Sequence, residues 1–585
     1  MIVLGLSALY HDSACALTID GALVAAAQEE RFTRRRFDSA LPVRAVRACL
    51  RDAGVRIHDV DHVAYYEDPV RKLGRQLWMG LPALPSATPE TLYRLDAERP
   101  LRQIRELLGF EGTTTCVTHH EAHAASAFYQ SGFPDAALFT ADAVGEWTTT
   151  SYGRGGSHGI DLFEEVSFPH SLGILYSAIT SFLGFAVNSD EYKVMGLAPY
   201  GTPNHLDLLR QLVTDLPGGQ FRLDLTYFDV SGASPMYTAA LGELLGVEPR
   251  EPESEIGSHH CDLAASVQAL LEELLLAKLA RLREATGSDR LCYAGGVALN
   301  CVANRRIRES GPFREIFVQP AAGDAGGAIG AAALIDHRLT GAYTPRRVRD
   351  VRVGPRPQTT DPRCWLDAAG VSYRDFAGSE QDLLDQAAEW LDEGLVLGWY
   401  QGRMEFGPRA LGGRSILADP RRADMRDHIN ALVKKREAFR PFAPAVTVER
   451  CGDFFDLPVP SPFMLDTASV REPAALPAVT HVDGSARVQT VDGADNPRFH
   501  GLLTAFGRRT GYPILLNTSF NMRGEPIVSS PADAFACFVR SRLDVLVLDD
   551  IAVRSSDLPE RFFAEVDRQQ PFRRPAISRD VYTFL

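Results

Sequence analysis

Short apolar blocks separated by polar turns run through the whole chain, and their lengths predict strands and helices in alternation. Ile2–Ser7 is the first block of strand length. After the turn Ala8–Ser13, the runs Ala14–Asp20 and Ala22–Gln28 meet at Asp20-Gly21, a pair that predicts a β-hairpin. Pro42–Val55 has the spacing of an amphipathic helix, Ala136–Thr140 reads as a buried strand ending at Asp142, and Pro169–Phe182 opens into a helix. Leu263–Arg283 is a clear amphipathic helix, with Asp262 placed to cap it. Leu291–Ala294 and Ile316–Val318 are two further strands. The first runs into Gly295-Gly296 and the second into a glycine-rich turn, Ala321–Gly330, that carries Asp324 ahead of a helix. Residues 70–115 show little pattern beyond proline-rich loops between Pro82 and Pro89. At 342–360, Pro345, Pro355 and Pro357 among arginines read as an interdomain linker. The pattern then restarts with a helix at Asp382–Glu393 and a strand at Leu395–Trp399. The whole is an α/β pattern.

Length and charge narrow the picture. A chain of 585 residues exceeds one ordinary core, so two or more domains are expected. The formal charge of −14 disfavours a large nucleic-acid footprint. The nine cysteines are scattered without a CxxC pair, which suggests reduced thiols and excludes a zinc knuckle. Met1–Leu6 reads as a core strand rather than a signal peptide, and no uncharged run approaches the roughly 18 residues of a membrane span. The expectation is a soluble cytoplasmic protein. The basic run Arg31–Arg36 is expected to be a solvated face.

Candidate chemistry begins at His119-His120-Glu121-Ala122-His123. Residues four apart share one helix face, about 6 Å apart along the axis, so His119 and His123 can address one ion while His120 points elsewhere. Capping or core histidines would give the same spacing. Asp142 at a strand end and Asp324 in its glycine-rich turn would complete a donor set suited to a divalent ion such as Fe(II) or Zn(II). His259-His260-Cys261-Asp262 has metal-ligating residue types, but capping explains it. Asn188–Gly201 suggests a loop lining a cleft. In the second half, Gln401–Gly412, Val433–Phe442, His481–Gln489 and Leu516–Pro526 set arginine and lysine beside glycine turns and amides, a combination suited to phosphate and carboxylate recognition.

With these residues in view, the chain resembles over nearly its whole length the antibiotic-type O-carbamoyltransferases (the NodU/CmcH/TobZ family). The motifs are HDS at 11–13, HHEAHAASAFY at 119–129, SDEYKVMGLAPYG at 189–201, GGVALN at 295–300 and GDAGGAIGAA at 323–332. RMEFGPRALGGRSI at 403–416, FRPFAP at 439–444, HVDGSARVQ at 481–489 and LLNTSFNMRGEPIV at 515–528 complete the set. The resemblance implies an actin-like (ASKHA) carbamoyl-transfer domain over 1–345, a linker over 346–360, and a YrdC-like domain over 361–585 that forms carbamoyl adenylate from carbamoyl phosphate and ATP with Mg2+. It implies metal ligands at His119, His123, Asp142 and Asp324, with Fe(II) favoured over Zn(II). His11 and Asp12 fall on the turn at the acceptor oxygen, with His11 as base or orienting group. Gly295, Gly296 and Asn300 would hold adenosine. Arg409, Lys434, Arg440 and Arg487 match the cations around carbamoyl phosphate and ATP, and Asn517 and Ser519 the rest of that pocket. The implied acceptor is a hydroxyl of a small-molecule natural product, with no nucleic-acid or membrane partner and with a homodimer left open. One departure stands out: the family commonly has Gly after the first acid of its DGxGE turn, where this chain has Ala143, so a shift of Asp142 is expected.

Related domains also serve tRNA threonylcarbamoyl transfer, against which the net charge argues. Hydrogenase-maturation carbamoyltransferases carry an acylphosphatase segment and CxxC motifs, which are absent from this sequence. A non-catalytic nucleotide-binding module would leave the arginine-rich clusters without a use.

Overall fold

The structure is a computed structural model that describes residues 1–80, 95–230, 235–357, 361–434, 437 and 439–568. The proline-rich loops at 82–89 lie outside the described residues. The described residues form two compact units, 1–29 with 37–348, and 30–36 with 349–568.

The first unit contains two five-stranded sheets with one topology used twice. In the first, β1 (Ile2–Ser7) is antiparallel to β2 (Ala14–Ile19), which is antiparallel to β3 (Ala22–Gln28). On its other side β1 is parallel to β4 (His62–Tyr65), and β4 to β5 (Thr113–Cys116). In the second, β6 (Ala136–Ala141), β7 (Thr148–Gly156) and β8 (Gly159–Ser167) repeat the antiparallel meander. There β9 (Arg290–Ala294) and β10 (Glu315–Val318) repeat the parallel edge. The inner parallel strands β1, β4 and β9 are short, mainly apolar buried runs, whereas the edge strand β5 is Thr-Thr-Thr-Cys and only half-buried.

Four helices position the site: α1 (His119–Ser131), α2 (Leu172–Phe182), α3 (Ser258–Thr286) and α4 (Asp324–Thr340). Helix α4 packs on β1, β2 and β4 and along α1. Gly330 makes the α1–α4 approach possible, because a Cβ there would overlap the Ala122 carbonyl and stand 2.8 Å from the Ser126 nitrogen.

The second unit is built on an eight-stranded mixed sheet. Across it run Arg374–Asp375, Ile551–Arg554, Val545–Leu548, Leu397–Tyr400, Arg414–Ala418, Ile514–Ser519, Ala443–Thr447 and Gln489–Val491. Alternate residues feed opposite faces, as the strand period of two dictates. Leu515, Leu397 and Trp399 join a core with Leu384 and Phe506, whereas Ile514, Leu516 and Tyr400 join one with Ile429 and Phe538.

Three local expectations are corrected. Helix α3 begins at Ser258, so Asp262 lies within its first turns and is no cap. Asp262 accepts instead from the Thr202 amide and Asn204 Nδ2, and the His260 ring takes the end of the helix, Nδ1 accepting from the Gly257 amide at 2.9 Å. Asn188–Gly201 holds a short helix, Glu191–Leu197, because its charged residues bond locally: Lys193 pairs with Asp190, and Glu191 accepts from Ser177 and the Asn188 amide. The basic run Arg31–Arg36 is a solvated face only in part, Arg35 being exposed. Arg31 is buried and Arg34 half-buried, and both donate to backbone carbonyls of the second unit. Residues 349–357 are bonded within that unit through Gly354 N–Met404 O, Phe406 N–Val351 O and Arg352–Asn496.

Among the described residues, no helix is long and apolar enough to cross a membrane. All nine cysteines are free thiols.

Candidate functional site

Helix α1 starts in a capping box in which the Thr118 hydroxyl accepts from the Glu121 amide and the Glu121 carboxylate from the Thr118 amide. That cap fixes His119 as the first helical residue, with His123 one turn on. Strand β6 delivers Asp142 just past its end, and α4 opens with Asp324 in its first turn. These four side chains converge, their donor atoms all within 4.8 Å of one another. His119 Nε2 lies 3.0 Å from His123 Nε2, and Asp142 Oδ2 lies 3.3 and 2.9 Å from the two imidazoles. Asp324 Oδ1 lies 3.6 and 3.7 Å from them. Donors about 2.1 Å from one ion stand about 3.0–3.4 Å apart, so the arrangement fits a divalent metal. The residue chemistry fits as well. Burial opposes a charge on His119, yet the carboxylates of Asp324 and Asp142 outweigh it and hold the imidazole up to about 9. The cluster attracts positive charge.

Ala143 leaves Asp142 within the cluster. Its amide donates to Asp142 Oδ1 at 2.7 Å, and Gly173 of α2 packs directly beneath the turn. His120 points away and bonds Thr140 at 2.5 Å.

The β1 turn brings His11 to the same place. His11 Nε2 is 3.8 Å from Asp324 Oδ2, and His11 Nδ1 is 3.3 Å from Asp12 Oδ2. Desolvation lowers the His11 pKa, but Asp324 and Asp12 raise it more, to about 9. Gly296 backs the cluster, with its Cβ position 2.9 Å from Asp142 Oδ1. Gly295 has φ +94° because the chain turns there against the Ala141 carbonyl, leaving no room for a side chain. Asn300 caps the helix Cys301–Ser310 through Ala303 N and pairs with Gln268, so its carboxamide already holds structure.

Sequence reasoning missed Glu146. It is buried, and one carboxylate oxygen accepts from the amides of His119 at 2.9 Å and Asp68 at 2.7 Å. Gly145 before it lies against His119, with a Cβ position 2.8 Å from the His119 Cβ.

In the second unit, buried Lys434 donates to the Ser519 carbonyl at 2.6 Å, Asn521 Oδ1 at 2.8 Å and the Asn521 carbonyl at 3.1 Å. Ser519 Oγ bonds Asn521 Oδ1 at 2.7 Å. Asn517, two residues back on the same strand, donates to Gln489 Oε1 and to the Ala410 carbonyl beside Arg409. The structure thus joins Lys434 to Ser519 and Asn517 to the Arg409 loop. Arg440 pairs with Glu437 at 3.5 Å, and half-buried Arg487 sits two residues before Gln489, which opens the edge strand Gln489–Val491. Glu405 organises the Arg409 loop, one oxygen accepting from the amides of Leu411, Gly413 and Arg414.

The carbamoyltransferase N-terminus matches residues 2–76 and 108–333, and the carbamoyltransferase C-terminus matches residues 388–555. The chain belongs to the carbamoyltransferase family. Uncharacterized protein sll1178 of Synechocystis sp. is 43% identical over 96% of this carbamoyltransferase and 97% of its own length. Nodulation protein NolNO of Sinorhizobium fredii is 41% identical over 93% of this chain and 79% of its own. The 3'-hydroxymethylcephem-O-carbamoyltransferase of Amycolatopsis lactamdurans is 40% identical over 50% of this chain and 54% of its own. Among solved structures, HypF of T. kodakarensis aligns at 15% identity with a TM-score of 0.31, covering 58% of this chain and 48% of its own, a likeness too distant to carry an argument.

Proposed function

We propose that this carbamoyltransferase forms carbamoyl adenylate in its second unit and passes the carbamoyl group to a hydroxyl of a small natural product in its first. In the second unit carbamoyl phosphate takes up one water to give carbamate and phosphate. The carbamate oxygen then attacks the α-phosphorus of ATP and displaces pyrophosphate. In the first unit the acceptor oxygen bonds to the carbamoyl carbon, AMP leaves, and the hydroxyl proton is taken up. The observation that carries this reading is the convergence of His119, His123, Asp142 and Asp324 beside His11, in a chain whose relatives include a named O-carbamoyltransferase.

The residues support this division. Adenylyl transfer depends on positioning and cationic charge, which Lys434, Arg409, Arg440 and Arg487 supply. In the first unit, two imidazoles and two carboxylates would hold a divalent ion, with Fe(II) proposed over Zn(II), and such an ion when bound supplies Lewis acidity toward a carbonyl. With both carboxylates so engaged, their field on His11 falls and its imidazole returns toward the range in which it accepts a proton. Asp12 then orients His11 through Nδ1. The repeated meander-and-parallel-edge topology supports the actin-like reading of the first unit. A YrdC-like second unit and the Gly295–Gly296 adenosine contact belong to the same proposal.

The test is ATP consumption by the purified chain with carbamoyl phosphate, scored by mass spectrometry for AMP, pyrophosphate and carbamoyl adenylate. Wild type and His123→Ala should release pyrophosphate and Arg440→Ala should not. ATP left intact by wild type in the presence of carbamoyl phosphate sinks the proposal.

A further inference from the structure

The second unit is not continuous in sequence. Seven residues between β3 and the helix Val43–Asp52, Glu30–Arg36, belong to it, more than 300 positions ahead of the rest. Two guanidiniums in this segment, Arg31 on the short helix Glu30–Thr33 and Arg34 just past its end, grip two different loops. Arg31 is 4% exposed, donates through Nη2 to the Gly407 carbonyl at 2.9 Å and pairs through Nη1 with Glu30 at 2.9 Å. Arg34 splits its fork: Nη1 donates to the Ile527 carbonyl at 2.6 Å and Nη2 to the Pro526 carbonyl at 2.8 Å, with Asp533 3.8 Å from Nε. A rigid planar fork meeting two consecutive carbonyls fixes the path of that loop in a way a single ammonium cannot.

Both loops lead directly to proposed catalytic cations. Gly407 is two residues before Arg409. Pro526 follows Glu525, whose carbonyl accepts from Asn521 Nδ2 at 2.6 Å. Asn521 Oδ1 in turn takes Lys434 Nζ at 2.8 Å and Ser519 Oγ at 2.7 Å. An unbroken chain of bonds therefore runs from Arg34 through its loop to Lys434. Both guanidiniums thus donate to backbone carbonyls of these loops, and each also has a carboxylate beside it, Glu30 for Arg31 and Asp533 for Arg34.

We infer that Arg31 and Arg34 are positioning residues for carbamoyl-adenylate formation, and that the segment Glu30–Arg36 completes the second unit's active site. The inference rests on the proposed function and deepens it. Loss of the Arg34 fork frees the Pro526–Ile527 loop and misplaces Asn521, and with it the Lys434 ammonium, where a displacement of about 1 Å costs on the order of 100-fold in rate.

The test uses the full chain and measures carbamoyl-phosphate-dependent pyrophosphate formation in wild type, Arg34→Ala, Arg34→Lys and Arg31→Ala, with circular dichroism melts and metal content alongside. The expected result for Arg34→Ala is a fall in kcat of about 10- to 100-fold with less than about threefold change in KM for ATP. Arg34→Lys, which keeps the charge but lacks the planar fork, should recover part of that loss, and metal content should stay at the wild-type level in every variant. Wild-type kcat in both alanine variants overturns this inference and leaves the two-unit reaction standing. Absence of pyrophosphate from wild type overturns both. If Arg34→Ala fails to fold, Arg34→Lys decides: a folded lysine variant with wild-type kcat overturns the inference, and one with reduced kcat at unchanged KM upholds it.

Discussion

A methyl group added at Gly173 would stand 2.6 Å from the Ala143 nitrogen and 2.7 Å from its Cα and from the Asp142 carbonyl carbon. Those are rigid backbone atoms of the turn that presents Asp142, so the turn must move. Gly173→Ala should therefore lower metal affinity by about 10-fold or more, a range typical of disturbing the groups that orient a ligand. Competition with a chelator, read by metal analysis, checks this, and unchanged affinity sinks it. The reverse test is Ala143→Gly, expected to change affinity less than about threefold, because the Ala143 amide already holds Asp142 Oδ1 and Asp142 already meets both histidines. At this scale the four donors were legible in the sequence: two histidines one turn apart, an acid after an apolar strand, an acid opening a glycine-rich helix. Glu146 was not, because its work is done on backbone amides of His119 and Asp68, and contacts to amides leave no side-chain pattern. For the same reason Arg31 and Arg34 read as a charged face, though they bond carbonyls.

Helices α1 and α4 carry three of the four donors, and their separation is set by Gly330. Gly330→Val inserts a branched side chain where even a Cβ overlaps the Ala122 carbonyl, so the helices must part and His123 must leave Asp324. Overpacking of this kind costs about 1–3 kcal/mol or more. Urea unfolding should show that loss together with reduced metal content; a stable variant with full metal would show that the spacing is not controlled there. Helix α3 offers a pH test. Burial, then the charges of His259 and Arg250, push His260 down to about 4 from 6.5, and its neutral Nδ1 accepts the Gly257 amide. Between those values the unfolded chain binds the proton and the folded chain does not. The stabilisation is thus complete above about pH 6.5 and is lost as pH falls toward 4, by about 1–3 kcal/mol. His260→Leu should show a smaller loss of urea resistance than wild type between pH 7 and pH 4.5. An equal loss in both would assign the acid sensitivity elsewhere. Element type was readable from apolar runs in both units, whereas the start of α3 was misread because His259-His260-Cys261-Asp262 looks polar enough to precede a helix. Strand order was beyond reach, since parallel pairing such as β1 with β4 joins runs separated by unrelated sequence.

For the molecule as a whole, two units with separate cores bind different ligands under the proposed function, so each ligand should stabilise its own unit. A ligand at 100 times its Kd adds about 2.7 kcal/mol to the state that binds it. For units of this size that corresponds to a rise of roughly 5–10 °C in the transition concerned. Calorimetry of the metal-stripped chain should show two transitions, with Fe(II) under anaerobic conditions raising one and carbamoyl phosphate raising the other. The discontinuous second unit sharpens this expectation. Arg34 lies between β3 and the helix Val43–Asp52 in sequence, yet Arg34→Ala should lower the transition that carbamoyl phosphate raises and spare the one that the metal raises, because the carbonyls it releases belong to Pro526 and Ile527. If Arg34→Ala instead lowers the metal-linked transition alone, the segment stabilises the unit that surrounds it in sequence, and its contacts to the Pro526 loop contribute nothing to the second unit's stability.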